Sequence, residues 1–176
     1  MSMPISEEEL ISTIKHSSLS TLLVEGKSDM RIYLWLEKNY KRPLHLDVLS
    51  CNGRKLLLSV FNRRGEFVDK KVAFLADKDM WLFSGVPSVY KDIVFTHGYS
   101  IENDILASHT VDFLFETEEK NEFEVLCSEL CKWFAFEVEE HLAGRECYLD
   151  VNVNQIIQLG CRKLNRNYLR KRRFND

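Results

Sequence analysis

Four carboxylates stand where short apolar runs of this sequence break off. Glu25 ends "TLLVE" and is followed at once by Gly26, with Asp29 three residues further on in "GKSD". Asp77 closes the run "KKVAFLAD", and Asp79 follows it in "FLADKDMW". Acids brought together in this way repel one another unless cations lie among them. Hard oxygen ligands, few and incomplete, suit Mg²⁺ or Mn²⁺, which keep several waters and take the rest of their shell from substrate phosphates. The chemistry open to such a set is metal-assisted attack on a phosphate ester.

The neighbouring residues fit the same chemistry. Gly26, without a Cβ, lets backbone and phosphate approach, and the helix N-terminus expected beyond it favours anions. Asn52 and Gly53 repeat the device in "CNGRK". Lys27, Arg54, Lys55 and Lys78 lie beside these turns, where they either neutralise phosphate charge or serve as solvated surface. Other chemistries find no support. The five histidines (His16, His45, His97, His109, His141) show neither HxH nor HExxH spacing, and no serine sits in a GxSxG elbow. The five cysteines are odd in number and contain no CxxC pair, which argues for reduced thiols. Cys127 and Cys131 stand one helical turn apart in "LCSELCKWFAF", a setting apolar enough to read as core. His97, Trp81, Phe83 and Tyr99 fall near the same strand ends, the aromatics being candidates either for stacking on unpaired bases or for packing.

Hydrophobic periodicity supplies the elements that must position these groups. Ser6 followed by three glutamates is a capping box and predicts a helix over 7–16. "TLLVE" (21–25) reads as a buried strand and 28–40 as a helix with Ile32, Trp35 and Leu36 on one face. "LHLDVLS" (44–50) is a second strand, 55–63 a helix, 70–77 a third strand of the continuous apolar kind, and 91–97 a fourth. Strands alternating with helices predict an α/β fold: a Rossmann-like, mostly parallel sheet of about four strands covered on both faces, with functional groups at the strands' carboxyl ends. Beyond it, 100–108 reads as a capped helix and 118–144 as a long amphipathic helix closed by Gly144. Residues 145–160 are ambiguous, admitting a strand at "CYLDV" and a short helix from Asn154.

Composition sets the outer bounds. At 176 residues the chain is long enough for one full core, and with 45% hydrophobic and 29% charged residues it is not disordered. No apolar run reaches the roughly 18 residues of a membrane span, and the start "MSMPISEEEL" lacks a signal peptide's basic and apolar regions, so a cytoplasmic protein without membrane association is expected. The formal charge of −3 hides an asymmetry: residues 161–176 hold seven of the 24 basic residues and one of the 27 acids, leaving an acidic body with a basic tail. Arg170, Lys171, Arg172 and Arg173 in that tail are candidates for nucleic-acid phosphates, with Tyr168 and Phe174 placed to stack; a solvated terminal helix is the alternative.

"VEGKSD", followed some fifty residues later by "LADKD", resembles the TOPRIM domain, whose signature is a Glu-Gly turn after the first strand and an Asp-x-Asp after the third. With "THGYSIEND" added, residues 20–110 resemble the TOPRIM-like family related to the overcoming-lysogenization-defect (OLD) nucleases, whose members include the effector of the PARIS anti-phage system. The resemblance implies that Glu25 is a metal ligand or general acid/base, that Asp77 and Asp79 hold the metal, and that Asp29 is the trailing acid of the nuclease-type motif. It also makes Glu102 a candidate further ligand, although an acid behind a Ser100 cap also serves a helix N-terminus. The expected organisation is an N-terminal helix (1–19), a TOPRIM-like domain (20–110), a helical extension (111–160) and a basic tail (161–176). The expected function is a Mg²⁺- or Mn²⁺-dependent nuclease acting on DNA or RNA, an anti-phage effector by resemblance. The alternative is a non-catalytic TOPRIM-like subunit that binds nucleic acid or a partner and works with a separate ATPase. A homodimer is compatible with either.

Overall fold

The computed structural model of the protein describes residues 5–39, 45–108, 116–158 and 163–165. The chain divides into two compact units, residues 1–105 and 106–176. In the first, helix α1 (Glu7–His16) opens with the expected capping box: Ser6 Oγ accepts from the Glu9 backbone N–H, and the Glu9 carboxylate reaches back to the Ser6 N–H at 2.7 Å. Strand β1 (Ser20–Val24), helix α2 (Lys27–Asn39), strand β2 (Leu46–Ser50), helix α3 (Arg54–Asn62), strand β3 (Val72–Ala76), the single turn α4 (Trp81–Ser84), strand β4 (Val94–Phe95) and helix α5 (Ile101–Ser108) follow. Strands β2, β3 and β4 are shorter than their apolar patterns, while β1 keeps its length but lies one residue earlier, so that Glu25 stands just beyond its end.

All four strands are parallel, in the order β2-β1-β3-β4. Side-chain alternation in the strands feeds two separate cores. Leu23, Phe74 and Ala76 join Leu10, Ile11 and Ile14 of α1 and Leu57, Val60 and Phe61 of α3 on one face. Val24, Val48 and the partly buried Leu22 and Leu75 meet Tyr33 and Met30 of α2 on the other. Helix α2 therefore carries the chain from β1 to β2 over one face, and α3 carries it back across β1 to β3 over the opposite face. The direction of winding reverses between β1 and β3, and in open parallel sheets the crevice at such a reversal, on the carboxyl side, is where ligands bind.

Helix α2 is rotated from its expected orientation. It buries Asp29 and Tyr33, while Trp35 is 62% exposed and Leu36 also faces outward. In the second unit, α6 (Thr117–Leu142) starts with the Glu116 backbone N–H donating to Glu119 and ends at Ala143 and Gly144. The segment 145–152 forms no strand: the Tyr148 N–H that a ladder would use donates instead to the fully buried Glu137 at 2.8 Å. Arg145 pairs bidentately with Glu140, at 2.6 and 2.8 Å. A turn, α7 (Val153–Ile156), leads into β5 (Ile157–Gln158), antiparallel to β6 (Lys163–Leu164). Apart from Lys163, Leu164 and Asn165, the basic tail lies outside the described residues. Among the described residues no helix is long and apolar enough to cross a membrane.

An ion-pair network fastens α1 to the region after α3. Arg63 contacts Glu7 at 3.0 Å, Glu8 at 2.5 Å and Glu66 at 2.6 Å, and Lys15 contacts Glu66 at 2.8 Å. Hydrogen bonds from Arg63 and Lys15 hold the Glu66 carboxyl down at about 2. Replacing Arg63 by alanine leaves three acids without their shared partner, so Arg63→Ala is expected to melt about 3–5 °C below wild type in 0.1 M salt. The gap should narrow in 1 M salt, where the screening length falls to about 3 Å. Equal melting temperatures at low salt would show that the network contributes nothing.

Candidate functional site

Backbone bonds beyond the ends of the strands knit their loops together. The Cys51 N–H donates to Val24 O at 2.9 Å and the Gly53 N–H to Glu25 O at 2.8 Å, so the turn after β2 is tied to the turn after β1. On the other side of the crevice, the Asp79 N–H donates to Tyr99 O at 2.8 Å, and the Lys78 N–H to Thr96 Oγ1 at 2.9 Å. Asp104, which carried no expectation, accepts from the His97 and Gly98 N–H groups at 2.7 and 2.6 Å and so shapes the loop before α5.

Gly26 turns out to be needed for a neighbouring carboxylate. Asp29 folds back to accept from the Gly26 N–H at 2.8 Å and from Ser28 Oγ at 3.0 Å. A Cβ on residue 26 would stand 2.9 Å from Asp29 Oδ2, closer than real Cβ contacts allow. Across the crevice, Asp77 Oδ1 accepts from the Ile101 N–H at 2.9 Å, so this acid satisfies a donor at the start of α5. Asp79 is held with φ at +47°, a conformation that costs about 1 kcal/mol or more outside glycine.

Arg54 lies among these acids. Its Nη2 is 3.0 Å from Asp79 Oδ2 and also donates to the Asp77 carbonyl, while Nε stands 3.6 Å from Glu25 Oε2. Its guanidinium carbon sits 4.7 Å from the centre of the Trp81 ring. Glu25 Oε2 and Arg54 Nε are both buried without a hydrogen-bond partner.

Burial, and after it the neighbouring negative charges, disfavour ionisation of the acids at this edge. Burial, followed by the charges of Asp29, Glu25 and Asp79, raises the Asp77 carboxyl to about 6, against the opposing bond from Ile101. Burial also raises Glu25, more than the Arg54 charge holds it down. Tyr33 is pushed above its ordinary range, first by burial and then by Asp77, Asp29, Asp104 and Glu102. Tyr33 and these four acids, drawn from α2, α5 and the end of β3, thus share one electrostatic neighbourhood. Tyr33 carried no expectation, yet its spacing of four from Asp29 puts the two on one helix face.

The other expected site residues are placed as follows. Glu102 is exposed in the first turn of α5, and its influence on Tyr33 is the smallest of those four acids. Lys27 and Lys55 are exposed in the first turns of α2 and α3, and Gly53 has φ at +128°. The Lys78 ammonium donates to His97 O at 3.0 Å. Trp81 is stacked on Tyr90 at 5.6 Å, edge-on to Phe95 and covered by Arg54, so its ring is engaged within the protein. Phe83 is 41% exposed. Arg170, Lys171, Arg172 and Arg173, with Tyr168 and Phe174, lie outside the described residues.

Among the described residues no three His, Cys, Asp or Glu side chains converge closely enough to hold a metal ion. The donor types nonetheless fit a hard divalent cation: all are carboxylate oxygens, and Glu25 Oε2 is a buried acceptor without a donor. No family model, curated protein or solved structure matches the chain. The site is therefore read from its own geometry.

The raised Asp77 carboxyl makes a signed prediction for protein free of divalent ions. The folded state keeps this proton up to about pH 6, whereas the unfolded chain loses it near 4, so the group's contribution to stability falls as pH rises between those values. Asp77→Asn keeps the acceptor for Ile101 and removes the buried charge. It should stabilise the protein by about 1 kcal/mol at pH 7.5 once partial solvent screening is allowed for. Urea unfolding should show the gap closing towards pH 4; a variant less stable than wild type at pH 7.5 would contradict this.

Proposed function

We propose that this chain is a TOPRIM-like nuclease that hydrolyses phosphodiester bonds in DNA or RNA with Mg²⁺ or Mn²⁺. The observation that carries the reading is the meeting of Glu25 and Asp77 on either side of the crevice between β1 and β3, with Asp29 and Asp79 beside them. Glu25, Asp77 and Asp79 would hold the cation, with Asp29 and Glu102 as outlying acids. When bound, the cation supplies Lewis-acid polarisation of the scissile phosphate and offsets charge on the leaving oxygen.

The chain's own residues have separate tasks. Glu25 Oε2, buried and without a hydrogen-bond partner, has the lone pair that a proton acceptor for an attacking water needs. Asp29, tied to the Gly26 N–H, keeps the turn beside Glu25 tight. Lys27 and Lys55, exposed at two helix N-termini on this edge, attract and orient the phosphate backbone. Arg170, Lys171, Arg172 and Arg173 would hold flanking nucleic acid, a contact that weakens as salt rises. A cytoplasmic location fits these roles, and a part in anti-phage defence rests on the family resemblance.

One observation favours a second reading. Arg54 already pairs with Glu25 and Asp79, as it would in a non-catalytic subunit that uses the same edge to bind nucleic acid or to dock a separate ATPase. Incubating wild type and Asp77→Asn with single- and double-stranded DNA, bulk RNA and transfer RNA, in Mg²⁺, Mn²⁺ or EDTA, separates the two. The nuclease reading expects cleavage that EDTA abolishes and that Asp77→Asn slows by about 100-fold or more. Folded protein that cuts none of these substrates, alone or with an added ATPase partner, would leave the binding subunit as the better account.

A further inference from the structure

Arg54 combines a demanding position with an incomplete fit. It follows Asn52 and Gly53, whose φ angles of +53° and +128° turn the chain sharply into α3 and deliver the side chain across the ends of β1 and β3. A guanidinium is a fork suited to gripping one carboxylate with two parallel hydrogen bonds. Here it reaches two carboxylates with one nitrogen each, Asp79 at 3.0 Å and Glu25 at 3.6 Å, and the nitrogen facing Glu25 makes no hydrogen bond. The Trp81 ring beneath it supplies a surface along which a planar cation can slide. Besides a hydrogen bond to the Asp77 carbonyl and the Trp81 ring, what holds Arg54 is the charge of the two acids, and charge is what another cation can replace.

We propose that Arg54 is a built-in counter-cation that competes with the divalent ion for Glu25 and Asp79 and, once displaced, turns its fork to the substrate phosphate. This inference rests on the metal-dependent reading of the site. A Mg²⁺ or Mn²⁺ ligand oxygen lies about 2.1 Å from the ion, so an ion that takes Glu25 Oε2 or Asp79 Oδ2, the oxygens that face the guanidinium, has to displace it, and an ion on their other oxygens sits close to its charge. Two adjacent positive centres also repel. The Arg54 side chain is 21% exposed and long enough to swing without moving the backbone of α3. Its planar donors match phosphate as well as they match carboxylate. The ion alone therefore binds weakly, and more tightly once a phosphate takes Arg54 away. The acids stay neutralised at every stage.

Calorimetric titration with Mn²⁺ alone tests this on wild type, Arg54→Gln and Arg54→Lys. Removing the competing charge should tighten Mn²⁺ binding roughly tenfold in Arg54→Gln, with a smaller gain of about threefold in Arg54→Lys, which keeps the charge but cannot span both acids. In EDTA the Arg54→Gln protein should melt below wild type, and Mn²⁺ should raise its melting temperature by more than it raises that of wild type. Tryptophan emission should change on addition of diamagnetic Mg²⁺ in wild type, as Arg54 leaves the Trp81 ring, and change less in Arg54→Gln. Equal Mn²⁺ affinity in wild type and Arg54→Gln would make Arg54 a permanent strut and overturn the proposal while sparing the metal site. No Mn²⁺ binding by any of the three would remove both. If Arg54→Gln does not fold with or without Mn²⁺, Arg54→Lys decides: affinity no tighter than wild type overturns the proposal.

Discussion

The constraint on which this structure turns is the crowding of negative charge where β1 and β3 end. A parallel sheet puts the carboxyl ends of its strands on one edge, and the reversal of winding between β1 and β3 opens a crevice there. Glu25 and Asp77 flank that crevice, with Asp79 and Asp29 close enough to raise the titration of Asp77. Such an arrangement costs stability and persists because the rest of the molecule is built around it. Asp29 is anchored to the Gly26 N–H, Asp77 takes the Ile101 N–H, and Arg54 spans Glu25 and Asp79.

The same constraint explains features that look unrelated. Helix α2 turns Asp29 and Tyr33 inward and leaves Trp35 outside, because the Asp29 contact with Gly26 fixes the rotation of its first turn. Gly26 is glycine because the Asp29 carboxylate occupies the space a Cβ would need. The loop before α5 is laced by Thr96, Asp104 and the Tyr99 carbonyl, which hold Asp79 in a conformation that few non-glycine residues adopt. The two hydrophobic cores supply the rigidity against which this strain is held.

Much of this was legible in the sequence, and the rest was hidden for identifiable reasons. Helix α1 was readable to the residue because its start is written in a local code, Ser6 with Glu9. The parallel sheet followed from apolar runs alternating with amphipathic ones, and the acids at the strand ends followed from the sheet. The facing of α2 did not follow, since apolar content pointed to Ile32, Trp35 and Leu36 while one polar contact set the rotation. The alternation in "CYLDV" resembles a strand, yet no neighbouring strand meets it and a buried glutamate takes its N–H. The charge of Arg54 was plain and its destination was not, because which acids it meets at the start of α3 depends on how the turns after β1, β2 and β3 approach one another. Glu25 and Asp77 could be paired from topology alone, whereas the position of Tyr33 among four acids needed three dimensions.

The central claim is that these acids form one cation-binding edge, and the most direct measurement is paramagnetic broadening of backbone amide NMR signals by substoichiometric Mn²⁺. The account predicts that, within residues 5–105, the signals of Glu25, Gly26, Gly53, Asp77, Asp79 and Ile101 are lost first. Broadening centred elsewhere in those residues, or spread evenly over their acidic surface, would contradict it.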